Sequence, residues 1–161
     1  MKLIGRAVAA GLGVLALGCN ATTTAPSDTM IGANLVRLSV SSSASEVARG
    51  TPVTLQVKLS NEGTSPVTLH FSDSCQINSY IRNSTGQTVL PYGGWRACLG
   101  VLTDLTVSPG SDVFREFVWT GSTAFQSEMP LRPLPPGQYF FTAEVPASEG
   151  MLRATVPVKI E

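Results

Sequence analysis

From Leu35 to the C-terminus, apolar and polar residues alternate one by one, the period of a strand with one buried face. Nowhere do they hold the three-and-four spacing of a helix for long. Val53, Leu55, Val57 and Leu59 alternate with Thr54, Gln56, Lys58 and Ser60, and Val36, Leu38 and Val40 alternate with Arg37, Ser39 and Ser41. The same pattern predicts strands over 67–71, 77–82, 87–90, 103–107, 112–119, 138–145 and 152–160. In the last of these, Leu152, Ala154, Val156, Val158 and Ile160 share one face. Pro157, which has no N–H for a ladder, points to a sheet edge. Asn61-Glu62-Gly63-Thr64-Ser65 and Asn83-Ser84-Thr85-Gly86 suit tight hairpin loops, and Ser108-Pro109-Gly110-Ser111 suits a turn.

Eight or nine short strands separated by Gly, Pro and Asn turns, with no helix between them, predict an all-β domain: an antiparallel, immunoglobulin-like β-sandwich. Pro136-Gly137-Gln138-Tyr139 fits this arrangement, because a turn that delivers a tyrosine to the start of a late strand resembles the tyrosine corner of such sandwiches. A simple buried aromatic is the plainer alternative.

The first eighteen residues break the pattern. Lys2 and Arg6 precede the apolar run Ala7 to Leu17, then small Gly18 and Cys19. A run of roughly a dozen residues is too short to span about 30 Å of hydrocarbon, so 1–18 reads as a secretory signal. Leu15-Ala16-Leu17-Gly18-Cys19 resembles the lipobox of bacterial lipoproteins, with Ala16 where that family prefers leucine. The resemblance implies that the Cys19 thiol takes a diacylglyceryl group and becomes the mature N-terminus. An ordinary signal peptide cleaved nearby is the rival reading. The lipid would make this an exported, membrane-anchored protein of the cell envelope, and Asn20 favours the periplasmic side of an outer membrane where the cell has one. Small polar residues then follow, so 19–32 is expected to be a lipidated cysteine on a flexible tether, and 33–161 one folded domain.

Removing the signal takes two of the eleven basic residues and leaves nine against eleven acidic ones, a formal charge of −2. Nothing basic remains to draw nucleic acid. Two cysteines remain, Cys75 and Cys98, and in an oxidising compartment they are expected to form a disulfide. Closing that ring of about 24 residues would contribute roughly 3.5 kcal/mol on the chain-entropy model. A metal site is the rival, but two thiols without a nearby histidine or third cysteine make a poor zinc set.

Motifs for catalysis are missing. The single histidine, His70, falls on the outward face of its strand, and no serine sits in a Gly-x-Ser-x-Gly elbow. No phosphate loop, dinucleotide fingerprint or His-Glu-x-x-His helix occurs. Asp73, Asp104, Asp112, Glu116, Glu128 and Glu144 are scattered and read as solvated surface rather than a calcium cage. The chain is therefore expected to be no enzyme and to carry no cofactor or metal. Its candidate protein-binding residues are Tyr92, Trp95 and Arg96, in a loop that Cys98 would pin, and Met129 and Arg132, in the proline-rich stretch 120–136. Trp95 could equally close one end of the sandwich, and the prolines could be a stiff crossover.

The order of features resembles the BsuPI-type intracellular proteinase inhibitor family. The resemblance runs through the strand 53–59 with Asn61-Glu62-Gly63, then Val67-Thr68-Leu69-His70-Phe71-Ser72, Tyr80-Ile81-Arg82-Asn83-Ser84-Thr85-Gly86, Leu105-Thr106-Val107-Ser108-Pro109-Gly110, Phe117-Val118-Trp119 and Leu134-Pro135-Pro136-Gly137-Gln138-Tyr139, over about 51–147. It implies a small sandwich that binds a serine protease without chemistry of its own. Gly86, Gly110, Trp119, Gly137 and Tyr139 would be fold determinants, and no inhibitory residue transfers. The expectation is a lipid-anchored module acting on a protease through loops at one end, with contact near Arg96 or Arg132. The alternative is a structural lipoprotein packed against another envelope protein.

Overall fold

The computed structural model describes residues 23–31, 35–91, 97–125 and 132–161, the first stretch by its backbone alone. The alternating segments become strands β1 (Thr23–Ile31), β2 (Val36–Ser42), β3 (Glu46–Val47), β4 (Val53–Asn61), β5 (Val67–Phe71), β6 (Asn78–Asn83), β7 (Thr88–Leu90), β8 (Thr103–Val107), β9 (Asp112–Trp119), β10 (Gly137–Ala147) and β11 (Gly150–Ile160). They form a four-stranded sheet in the order β1-β2-β4-β9, a five-stranded sheet β3-β11-β10-β6-β7 and a two-stranded ribbon β5-β8. Every pairing is antiparallel except that of β3 with β11. The architecture is an all-β, immunoglobulin-like sandwich.

Alternation decides what each strand buries. Val36, Leu38 and Val40 of β2, with Val53, Leu55, Val57 and Leu59 of β4, turn inward against Leu152, Val156, Val158 and Ile160 of β11 and Phe141 and Val145 of β10. Aromatics fill the remainder, with Phe117 and Phe125 4.7 Å apart and Trp119 edge-on to Tyr139 at 5.7 Å. Both polar tips are satisfied: the Trp119 indole N–H donates to the Ser122 carbonyl at 2.7 Å, and the Tyr139 hydroxyl donates to the Pro135 carbonyl at 2.8 Å. The second bond is the tyrosine corner that the Pro-Gly-Gln-Tyr turn predicts. Pro157 stands opposite Phe140, on an edge of β11 where β3 pairs only at Lys159 and Ile160, so no ladder bond is asked of the proline there.

Three expectations are corrected. The stretch read as part of a flexible tether pairs as β1 along β2, from Thr23 opposite Ser42 to Ile31 opposite Val36. Ladder bonds come from main-chain groups, so an open sheet edge can recruit a polar segment that has little to bury. Glu144 is not solvated surface. It is buried on the outer face of the central strand β10, between Arg153 at 2.8 Å and Arg82 at 3.3 Å, each on a neighbouring strand.

The third correction concerns the loop 61–65, which is no hairpin. β4 pairs with β2 and β9, whereas β5 pairs with β8, so the chain changes sheets here. The return connection from β8 to β9 changes sheets beside it, and Asn61 joins the two crossings. Its main-chain N–H donates to the Ser111 carbonyl at 3.2 Å and its carbonyl accepts from Gly110 N–H at 3.0 Å. Its side-chain NH2 donates to the carbonyls of Ser65 and Val107, each at 2.8 Å, while Oδ1 accepts from Gly63 N–H at 2.9 Å. Asn61 is 1% exposed, so losing any of these bonds leaves a polar group without water. Asn61→Asp keeps the shape but replaces the double donor with an acceptor facing two carbonyls. It is expected to destabilise the fold by about 2–4 kcal/mol, read as a lower midpoint in urea or guanidinium unfolding.

Candidate functional site

The ribbon beyond Asn61 explains how two cysteines distant in sequence meet. β5 and β8 pair from Val67 opposite Val107 to Phe71 opposite Thr103, so the chain leaves β5 beside the point where it enters β8. Leu69, Phe71 and Val107 anchor the ribbon in the core, while the Thr68 and Thr106 hydroxyls bond at 2.9 Å on its outer face. The segments at its tip, 72–77 and 97–102, are therefore neighbours, and Cys75 and Cys98 form the expected disulfide with Cα atoms 5.6 Å apart.

Hydrogen bonds fix the main chain around that crosslink. Ser74 N–H donates to the Leu99 carbonyl at 3.0 Å, and Leu99 N–H donates to Ser74 Oγ at 2.9 Å. Val101 N–H closes a tight turn on the Leu99 carbonyl at 2.8 Å. Asp73 serves both segments: its carboxylate accepts from Cys75 N–H at 2.7 Å, and its carbonyl accepts the Thr103 hydroxyl at 2.7 Å. Gln76 Nε2 donates to the Asp104 carbonyl at 3.0 Å. The side chains do the opposite of the backbone. Leu99, Val101 and Leu102 are 71%, 52% and 88% exposed, an aliphatic cluster facing outward on a held segment.

The hollow beside the disulfide, lined by Ser74, Cys75, Gln76, Ile77, Asn78 and Arg115, encloses about 220 Å³, less than the usual small-molecule site. Asp73, Cys75 and Cys98 place a carboxylate and two sulfurs within 4.8 Å of one another, but the sulfurs are bonded together and offer no thiolate to a metal. His70 lies outward as its alternation predicts. Its Nδ1 pairs with the Glu149 carboxylate, while its main-chain N–H donates to Glu149 Oε2 at 3.1 Å and its carbonyl accepts from Ser148 N–H at 2.8 Å. These contacts clamp the ribbon to the turn between β10 and β11.

Of the residues singled out in the sequence, Cys75 and Cys98 are brought together. Cys19, Tyr92, Trp95, Arg96 and Met129 lie outside the described residues. Arg132 is exposed beside a main-chain zipper, in which Thr123 N–H donates to its carbonyl at 2.9 Å and Leu134 N–H donates to the Gly121 carbonyl at 2.8 Å. That zipper grows from the end of the sandwich where Val53 faces Trp119, opposite the end where Asn61 begins the ribbon. Arg132 and the base of the ribbon therefore occupy opposite ends, while the disulfide lies alongside β9, beside Arg115. Leu99, Val101 and Leu102 were not singled out, although four residues directly after a cysteine, three of them aliphatic and out of step with alternation, were a usable signal.

A family model described as BsuPI, intracellular proteinase inhibitor, matches residues 38–150, from within β2 to the start of β11. Among curated proteins none matches the chain. Among solved structures, the chain is similar to a CARDB domain from Pyrococcus furiosus at 16% identity and a TM-score of 0.45, covering 83% of this chain and 94% of that one. A β-glucosidase from Erythrobacter marinus aligns at 14% identity and a TM-score of 0.42 over 76% of this chain, which spans only 15% of the enzyme. The alkylpurine DNA glycosylase of Pseudomonas fluorescens aligns at 13% identity and a TM-score of 0.42, over 74% of this chain and 28% of that one.

The clamp at the base of the tip has a definite pH window. The hydrogen bond to the Glu149 carboxylate, with the Glu149 and Asp104 charges behind it, raises the His70 pKa above its ordinary 6.5. The same bond lowers the Glu149 pKa below its ordinary 4.5. The imidazolium stabilises the fold in full below 6.5 and loses that contribution as pH rises through its raised value. The carboxylate stabilises in full above 4.5 and loses it as pH falls through its lowered value, so both contribute fully between 4.5 and 6.5. In an NMR titration, Glu149→Gln is expected to return the His70 midpoint toward its ordinary value. Identical curves for the two proteins would show that no clamp forms.

Proposed function

The chain belongs to the BsuPI family, the intracellular proteinase inhibitors, and on that premise we propose that it is a non-catalytic binding module that blocks a proteinase from the ribbon end of its sandwich. The observation that carries this reading is the contrast at the tip: a main chain tied down by Ser74, Asp73 and the Cys75–Cys98 bond, presenting Leu99, Val101 and Leu102 to solvent. Binding normally costs the entropy of ordering a loop, and a segment ordered beforehand avoids most of that cost. Exposed aliphatic side chains on such a segment suit an apolar cleft in the partner. We further propose that a lipid on Cys19 holds the module to a membrane of the cell envelope, a reading supported by the basic start, short apolar run and cysteine at 1–19.

Two measurements check these statements. The purified protein is expected to slow at least one serine protease and to survive the incubation uncut; a panel left unaffected at micromolar protein would remove the inhibitor reading. Replacing Cys19 with Ala is expected to move the protein from the membrane fraction to the soluble one and to abolish any acyl mass. If the unaltered protein shows neither membrane fractionation nor acyl mass, there is no anchor.

A further inference from the structure

Within the tip, Leu102 is the most exposed large apolar side chain described, at 88%, and the residue after it is locked into β8. Leu99 precedes it by one turn, 71% exposed and bonded through its own N–H and carbonyl to Ser74. No charged residue occurs from Ala97 to Thr103. Taking the inhibitor reading above as given, we infer that Leu102 is the residue offered to the primary specificity pocket of the target, with Leu99 as a second anchor. The target is then a proteinase whose pocket accepts a large uncharged aliphatic side chain. A pocket built around a carboxylate for Lys or Arg would gain nothing here and would leave its own charge desolvated and unpaired. Arg132, beside the zipper at the Val53–Trp119 end, lies outside this segment and takes no part.

The same geometry explains why such a segment inhibits rather than being consumed. A cut between Leu102 and Thr103 takes up one water and leaves a carboxylate on Leu102 and an amine on Thr103. Neither end can leave. Thr103 stays paired opposite Phe71 with its hydroxyl on the Asp73 carbonyl, and Leu102 stays four residues from Cys98, which is bonded to Cys75. The amine thus waits beside the acyl carbon, and the reverse step, which re-forms the peptide bond and releases the water, competes with dissociation.

Inhibition constants of single variants test the assignment, using a serine protease that the unaltered protein inhibits. Leu102→Asp is expected to weaken inhibition roughly 100-fold and Leu99→Asp roughly tenfold, while Arg132→Ala stays within about twofold. Leu102→Arg is expected to move inhibition toward a protease that cuts after Arg or Lys, a gain that misfolding cannot mimic. Reducing the disulfide is expected to turn the protein into a substrate cut after Leu102, as read by mass spectrometry. If both Leu102 variants inhibit the original protease as well as the unaltered protein does, the assignment is overturned and the inhibitor reading survives with its contact elsewhere. If the unaltered protein inhibits no protease, the inhibitor reading fails and takes this assignment with it.

Discussion

Everything at the working end of this molecule hangs on how one buried asparagine closes the gap between two crossings of the chain. A sandwich strand that simply continued from β4 would stay in its sheet; here the β4–β9 pair ends, and a second pair, β5–β8, begins a few residues on. Two adjacent strands can bend together only if the carbonyls freed at the bend find donors, because buried main-chain groups without partners cost about 1–3 kcal/mol each. The Asn61 amide supplies both donors at once, to Ser65 and Val107. An apolar residue of the same size would fill the space and leave those two oxygens bare. The bend is therefore a polar device set among apolar neighbours.

From that bend the remaining geometry follows in sequence. The ribbon is only five residues long on each strand, too short to be stable alone. It holds because Leu69, Phe71 and Val107 enter the common core, because the Ser148–Glu149 turn grips His70, and because a disulfide closes its open end. The core contacts and the His70 clamp grip opposite faces of the ribbon and the disulfide closes its end, so none duplicates another. A tip held at its base, flank and end keeps its main chain in place while its outward side chains remain free to meet a partner.

Sequence patterning carried the strands further than it carried their partners. Period-two alternation found Asp112–Trp119 and Thr103–Val107 to the residue, because each strand has its buried side written into it. It could not tell which sheet a strand joins: Asn61-Glu62-Gly63 has the composition of a hairpin loop whether the next strand folds back or crosses over, and only the buried partners of Asn61 decide. β1 escaped notice because its place depends on main-chain bonding at a free edge, which no side-chain pattern announces. Glu144 looked like surface because its charge is cancelled by arginines on two other strands, Arg82 and Arg153. At the tip, the cysteines were legible from chemistry and compartment. The leucines beside them were passed over in favour of aromatics and arginines, although their exposure is set by the ribbon's bend and not by anything local.

The direction of β1 bears on how the molecule would sit on a cell. Thr23 lies level with Ser42, and Ser42 with Leu55, at the end of the sheet away from Asn61, so the chain enters the sandwich at the pole opposite the base of the ribbon. Only four peptide steps separate Thr23 from Cys19, at most about 14 Å of fully stretched chain. With a lipid at Cys19, the sandwich would stand almost on the headgroups, upright on a short stalk, rather than drift on a long leash. The crossing at Asn61, where the ribbon begins, would then lie at the end of the sheet remote from the bilayer.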